Sequence, residues 1–159
     1  MFSRTIMCAD EDAMQALGTA LFCTLSKGTL MRLEGELGAG KSFLARAIIH
    51  ASGYSGRVKS PTYTLIETYE IDGSEGEIRH VAHLDLYRLA DPDELHYLGF
   101  DDVLDTHDLV MIEWAERAGD LLPKADVSVA IAYTENGGRQ VRIASNASLE
   151  SLPGPLDQV

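Results

Sequence analysis

Two hydrophobic periods run along this chain, and the switches between them mark out its elements. Ser3–Met7 is a short strand-like run. Asp10, Glu11 and Asp12 then precede Ala13, Leu17, Ala20, Leu21 and Leu25, apolar residues three or four apart. That spacing predicts an amphipathic helix over Asp10–Leu25, capped by Asp10, with Glu11 and Asp12 beside the positive end of its dipole. Lys27-Gly28 closes it. Thr29–Leu33 reads as a strand, and Ser42–His50 returns to helical spacing. Between them lies a glycine-rich turn.

Beyond the loop Ser52–Gly56, Pro61 argues against helix and pushes Ser60 towards an extended conformation. Leu65–Ile71 and Glu77–Leu86 are strand-like, and the turn-rich linker Asp72–Gly76 predicts that they pair antiparallel. Asp91-Pro92 suits the N-cap and first position of a helix reaching about Leu98, broken by Gly99, with a further helical turn over Phe100–Leu104. Leu109–Ile112 is a compact apolar run of the kind buried in a parallel sheet. Val127–Tyr133 and Gln140–Ala144 alternate about the turn Glu135–Gly138, a terminal hairpin. Residues 1–148 thus read as one domain, and 149–159, with two prolines and little periodicity, as a loose C-terminal tail.

Composition narrows the class. A chain of 159 residues with 45% apolar and 24% charged residues can bury a substantial core. No apolar run approaches a membrane span, and Cys8 and Cys23 lack a metal-ligand spacing, so reduced thiols, a cytoplasmic location and no membrane partner are expected. The formal net charge of −12 opposes direct nucleic-acid binding, which needs clustered Lys and Arg.

The glycine-rich turn carries the chemistry. Gly35 and Gly40 bracket four residues and are followed by Lys41 and Ser42, the G-x-x-x-x-G-K-S of a phosphate-binding P-loop, between strand and helix as the motif requires. Its glycines let backbone amides converge on phosphate oxygens, and the helix N-terminus adds its dipole. Glu36, Leu37, Gly38, Ala39 and Gly40, with Lys41, Ser42 and Phe43, form the candidate cradle for a nucleotide, ATP or ADP against GTP being left open by the motif. Lys41 is placed to neutralise phosphate charge, and Ser42 to ligate Mg²⁺.

Two acids compete for the rest of the metal site. Asp85 lies in the strand-like His83-Leu84-Asp85-Leu86, and Glu113 ends the apolar run at the sheet edge where α/β proteins bind ligands. On pattern alone Glu113 is the better candidate. Thr62 lies in a hydroxyl-rich segment about twenty residues after the P-loop lysine, either a switch-like contact to γ-phosphate or metal or an ordinary connector. Asp85, Glu113 and Thr62 are all candidates for positioning an attacking water.

Taken together, Gly35–Ser42, Ser60-Pro61-Thr62-Tyr63-Thr64-Leu65, His83-Leu84-Asp85-Leu86-Tyr87-Arg88-Leu89, Ile112-Glu113-Trp114 and Arg117–Pro123 resemble the TsaE family over nearly the whole chain. The first motif is generic to P-loop proteins; the other four, in this order, are specific. The chain departs from the family pattern at Glu36 and Ser42, where Asp and Thr are usual, and at Ala115, where a proline is usual.

The resemblance implies a P-loop NTPase-like three-layer α/β domain with a central sheet of mixed parallel and antiparallel strands. It also implies an ATPase required for the threonylcarbamoyladenosine modification of tRNA, with Lys41 and Ser42 handling phosphate and metal, and Asp85 and Glu113 as the acids around Mg²⁺. Trp114 matches the family's tryptophan beside the site, as a ligand contact or as a core aromatic. The implied partner is the TsaB–TsaD complex, driven or reset by ATP hydrolysis. Two rivals are a small-metabolite P-loop kinase, for which the arginines are too scattered to form a lid, and a nucleotide-sensing binding module whose turnover is incidental.

Overall fold

A computed structural model describes residues 1–147 together with Leu149 and Leu152. The strands are β1 (Phe2–Cys8), β2 (Thr29–Gly35), β3 (Ile66–Glu70), β4 (His80–Asp85), β5 (Leu109–Glu113), β6 (Val127–Tyr133) and β7 (Arg139–Ser145). The helices are α1 (Glu11–Thr24), α2 (Lys41–Ala51), α3 (Glu94–Tyr97) and α4 (Phe100–Thr106), with a 3-10 segment over Ala115–Leu121. Among the described residues, one seven-stranded sheet runs in the order β1-β7-β6-β2-β5-β4-β3.

The four central strands, β6, β2, β5 and β4, are mutually parallel, while β3 pairs antiparallel with β4, and β7 joins β6 and β1 antiparallel. The expected mixed sheet is therefore present, and both predicted hairpins form. Parallel sheets need both faces covered. One face carries α1 and α2 over a core that includes Ile6, Met31, Leu33, Leu44, Ile48 and Met111. The other carries α3, α4 and the 3-10 segment over Leu84, Leu86, Leu95, Phe100, Val110 and Ile112. Three layers result.

Local chemistry sets the element ends. Asp10 caps α1 as expected, its Oδ1 accepting the Ala13 amide at 2.9 Å. Where α1 crosses α2, Gly18 permits the approach, since a Cβ there would lie 2.5 Å from the Ala47 Cβ. Asp91 does not begin α3: its Oδ1 accepts the Asp93 amide at 2.9 Å, an Asx turn, and the helix opens only at Glu94.

The segment after Pro61 forms no helix, as expected. Residues 61–65 close a turn through the Leu65 amide and the Pro61 carbonyl at 2.9 Å. A proline at the first position of a turn loses no needed donor, and its carbonyl stays free to accept. Most of the tail over 149–159 lies outside the described residues. Its two described members, Leu149 and Leu152, are 4% and 2% exposed and pack on the α1/α2 core. Cys8 and Cys23 are both free, and no helix among the described residues is long and apolar enough to cross a membrane.

At the N-terminal end of the parallel strands one acid ties three segments together. Asp108, 6% exposed, accepts the Arg79 and His80 amides at 2.8 and 2.9 Å and lies 3.5 Å from the Lys27 ammonium. Its own carbonyl accepts the Gly28 and Thr29 amides. Burial alone would raise its pKa, but the two amides and Lys27 outweigh it and hold the carboxyl below its ordinary 3.8. A depressed folded-state pKa means stabilisation that is present above the unfolded value and lost as pH falls through the folded one. Asp108→Asn is expected to cost about 1–3 kcal/mol at neutral pH. In thermal melts, the gap between variant and wild type should close as the pH is taken below 3.8.

Candidate functional site

Strand alternation decides which side chains reach α2. In β5, Leu109 and Met111 belong to the α1/α2 core and Val110 and Ile112 to the opposite one, so Glu113 falls on the α2 side. In β4, Val81 faces α1/α2 while Ala82 and Leu84 face away, which puts His83 and Asp85 on the same side as Glu113. Parallel register then aligns the strand ends: Glu113 stands opposite both Asp85 of β4 and Leu33 of β2. The chain leaves β2 at Gly35, turns, and enters α2 at Lys41 directly above these acids.

The turn depends on Gly40, whose φ of 115° L side chains rarely adopt. No side chain caps α2, which leaves its positive end open toward the cleft. Ser42 Oγ lies 3.0 and 2.9 Å from the two oxygens of Glu113 and donates to that carboxylate. Glu113 is 2% exposed, and its Oε2 also accepts the His83 Nε2–H at 2.8 Å. Because a carboxylate only accepts, this contact places the His83 proton on Nε2. His83 is itself 1% exposed, and its Nδ1 has no partner among the described residues.

Lys41 Nζ donates to the carbonyls of Gly35 and Glu36 and sits 4.2 Å above the Trp114 ring. Burial pushes the ammonium pKa down, and Glu113, Asp85 and Glu116 oppose this only in part. Asp85 Oδ1 accepts the Tyr87 amide at 3.0 Å. Burial raises its pKa and the Glu113 charge adds to the rise, against the pull of the Tyr87 amide and Lys41.

These groups open into a cleft of about 340 Å³. Of the residues proposed from sequence, Leu37, Gly38, Gly40, Lys41, Ser42, Phe43, Thr62, Asp85, Glu113 and Trp114 all line it. Glu36 and Ala39 do not. Glu36 contributes its carbonyl to Lys41, and Ala39, 1% exposed, lines a second cavity of about 390 Å³ with Cys8, Asp10 and Arg139. Both Asp85 and Glu113 belong to the site, and Glu113 alone bonds to Ser42. Trp114 lines the cleft and also packs against the α3/α4-side core, its ring tilted by 51° to that of Tyr87 at 5.0 Å and its backbone held at the positive φ of 56°. Thr62 Oγ1 and Ser60 Oγ share a hydrogen bond of 2.7 Å at the rim.

Sequence reasoning assigned no role to His83, Tyr87 or Arg88, although all three stand in a motif already singled out. The signal for His83 was its parity, two residues before Asp85 on one strand and therefore on the same face.

A glycine-rich turn between a central parallel strand and a helix, with two acids at the ends of the neighbouring strands, defines a P-loop α/β domain. Residues 8–141 match the family described as threonylcarbamoyl adenosine biosynthesis protein TsaE. The tRNA threonylcarbamoyladenosine biosynthesis protein TsaE of Haemophilus influenzae is 42% identical over 123 residues, 77% of this chain and 74% of that one. Its Nostoc namesake is 36% identical over 154 residues, covering 92% and 90%. In three dimensions the chain is similar to the crystal structure of Bacillus subtilis YdiB, with a TM-score of 0.74, 20% identity and coverage of 92% and 87%. The chain belongs to the TsaE family of tRNA threonylcarbamoyladenosine biosynthesis.

Asp85 gives this site a testable signature. A carboxyl whose folded pKa is raised favours the folded state while protonated and loses that contribution as pH rises through the folded value. Asp85→Asn, which keeps an acceptor for the Tyr87 amide, is therefore expected to raise the melting temperature of the ligand-free protein at pH 7. Scans repeated below pH 4 should bring variant and wild type together.

Proposed function

We propose that this protein binds MgATP in the cleft and hydrolyses it to drive or reset the TsaB–TsaD complex during threonylcarbamoyladenosine modification of tRNA. The observation that carries this reading is the junction of Lys41, Ser42 and Glu113 at the mouth of α2, a phosphate-binding cation beside an oxygen-donor pair. Ser42 Oγ, the Glu113 carboxylate and Asp85 are hard oxygen donors of the kind Mg²⁺ takes. When bound, such an ion would supply charge neutralisation for the phosphate oxygens.

The chain's own side chains do the rest in this reading. Lys41 leaves the Gly35 and Glu36 carbonyls for phosphate oxygens, relieving the burial of its charge. Ser42 and Glu113 hold their positions through each other and through His83. Asp85, its proton affinity raised, stands where it can orient or accept a proton from an attacking water. Trp114 and Tyr87 keep one wall apolar, which strengthens electrostatics inside. The second cavity shares Gly38, Gly40 and Phe43 with the first, and takes the base and sugar. With a net charge of −12, contact with tRNA is left to the partners.

Two variants separate binding from turnover. Lys41→Ala is expected to weaken ATP and ADP at least about tenfold, the loss of one or two charge-assisted hydrogen bonds. Glu113→Gln should still bind ATP and TsaB–TsaD, while hydrolysis falls about tenfold or more. Multiple-turnover tRNA modification should then stop after the first round. Calorimetry and a reconstituted modification assay read these out. Normal ATP binding by the Lys41 variant, or unimpaired repeated rounds by the Glu113 variant, would contradict the proposal.

A further inference from the structure

The P-loop is held from outside as well as formed from within. Arg139, the first residue of β7, turns its guanidinium onto the loop: Nε donates to the Ala39 carbonyl at 2.7 Å, and Nη1 to the Gly137 and Gly138 carbonyls at 3.1 Å each. The same guanidinium lies 4.3 Å over the ring of Tyr133, the last residue of β6. Tyr133 in turn donates its hydroxyl to the Leu37 carbonyl at 3.2 Å. Two loop carbonyls, Leu37 and Ala39, are thus fastened to one hairpin.

The loop is seated closely against that hairpin. A Cβ on Gly38 would lie 3.0 Å from the Tyr133 hydroxyl, and one on Gly35 would lie 2.5 Å from the Ile131 carbonyl. Only glycine allows the approach that these hydrogen bonds need.

In a trans peptide the C=O and the following N–H point in opposite directions, and among the described residues no peptide is cis. Fixing the Leu37 and Ala39 carbonyls outward therefore turns the Gly38 and Gly40 amides the other way. The intervening Ala39 amide is already committed, to the Glu36 carbonyl at 3.0 Å. Convergent amides are what a phosphate cradle is made of. Left to itself, a glycine-rich loop has many peptide orientations, and each glycine loses more freedom on ordering than any other residue.

We propose that Tyr133 and Arg139 are positioning residues for the phosphate site, orienting the Gly38 and Gly40 amides by holding the carbonyls on their far side. The inference rests on the phosphate-binding reading above and adds residues nearly a hundred positions away to it. Arg139 also borders the second cavity, so a direct contact with base or sugar is the competing role for it.

A ligand without a base separates the two. Affinities for ADP and for inorganic tripolyphosphate are measured by competition against a fluorescent ADP derivative, for wild type, Tyr133→Phe, Arg139→Lys and Arg139→Ala. Tyr133→Phe removes one hydroxyl from a half-exposed side chain and keeps the ring under Arg139, so folding is preserved; unliganded melting curves verify this. The expected result is an equal loss for both ligands, about three- to tenfold in Tyr133→Phe and tenfold or more in Arg139→Ala, with Arg139→Lys between. A loss confined to ADP, with tripolyphosphate affinity unchanged, overturns the proposal and assigns these side chains to the base. Unchanged affinities in Tyr133→Phe and Arg139→Ala overturn it as well. Wild type that binds neither ligand would instead remove the phosphate-binding reading, and the proposal with it.

Discussion

A single contact, Ser42 to Glu113, joins the two parts of the chain on which the site depends. The residues are 71 positions apart, one opening a helix and the other closing a strand. Glu113 is almost wholly buried, and an ionised carboxylate in such a place is costly unless donors surround it. Ser42 and His83 supply those donors, and they are available only because β2 and β4 flank β5 in parallel with their ends level. Strand order, the alternation of β4 and β5, and the entry of the chain into α2 are all needed before this one carboxylate is satisfied.

The sheet treats its acids differently at its two ends. At the N-terminal end Asp108 receives two backbone amides and a lysine, and its proton affinity falls. At the C-terminal end burial, with the Glu113 charge added, outweighs the single Tyr87 amide at Asp85, and its proton affinity rises. Lys41, whose ammonium is itself disfavoured by burial, stands a few ångströms from ring and carbonyls and not in a tight ion pair. Such incomplete satisfaction is what a site prepared for additional charges looks like, whereas Asp108 is finished without them. On the proposed reading, a triphosphate with its cation supplies further partners to Lys41 and Asp85 together.

Much of the architecture was legible in the order of residues. Helical spacing after Asp10 and after Gly40, the alternating runs of the hairpins, and the uninterrupted apolar stretch ending in Glu113 each encode a local conformation, and the elements formed where those patterns lay. One misreading arose where a side chain competes with the backbone. Asp91 folded back on Asp93 instead of capping α3. His83 was passed over because its partner lies on another strand. Tyr133 and Arg139 looked like ordinary hairpin ends because nothing near them in sequence shows what they touch.

By itself the sequence determined what depends on neighbours along the chain: the periods of helix and strand, the glycine-rich turn between them, the lysine and serine at the helix mouth, and family membership through five ordered motifs. Tertiary structure alone decided that Glu113 and not Asp85 bonds to Ser42, that Trp114 walls a cleft, and that a distant hairpin grips the loop. The reason is physical. Local conformation follows from sterics and hydrogen bonding within a few residues, whereas contacts across tens of residues follow from strand order and register, which are set only when the whole sheet has assembled.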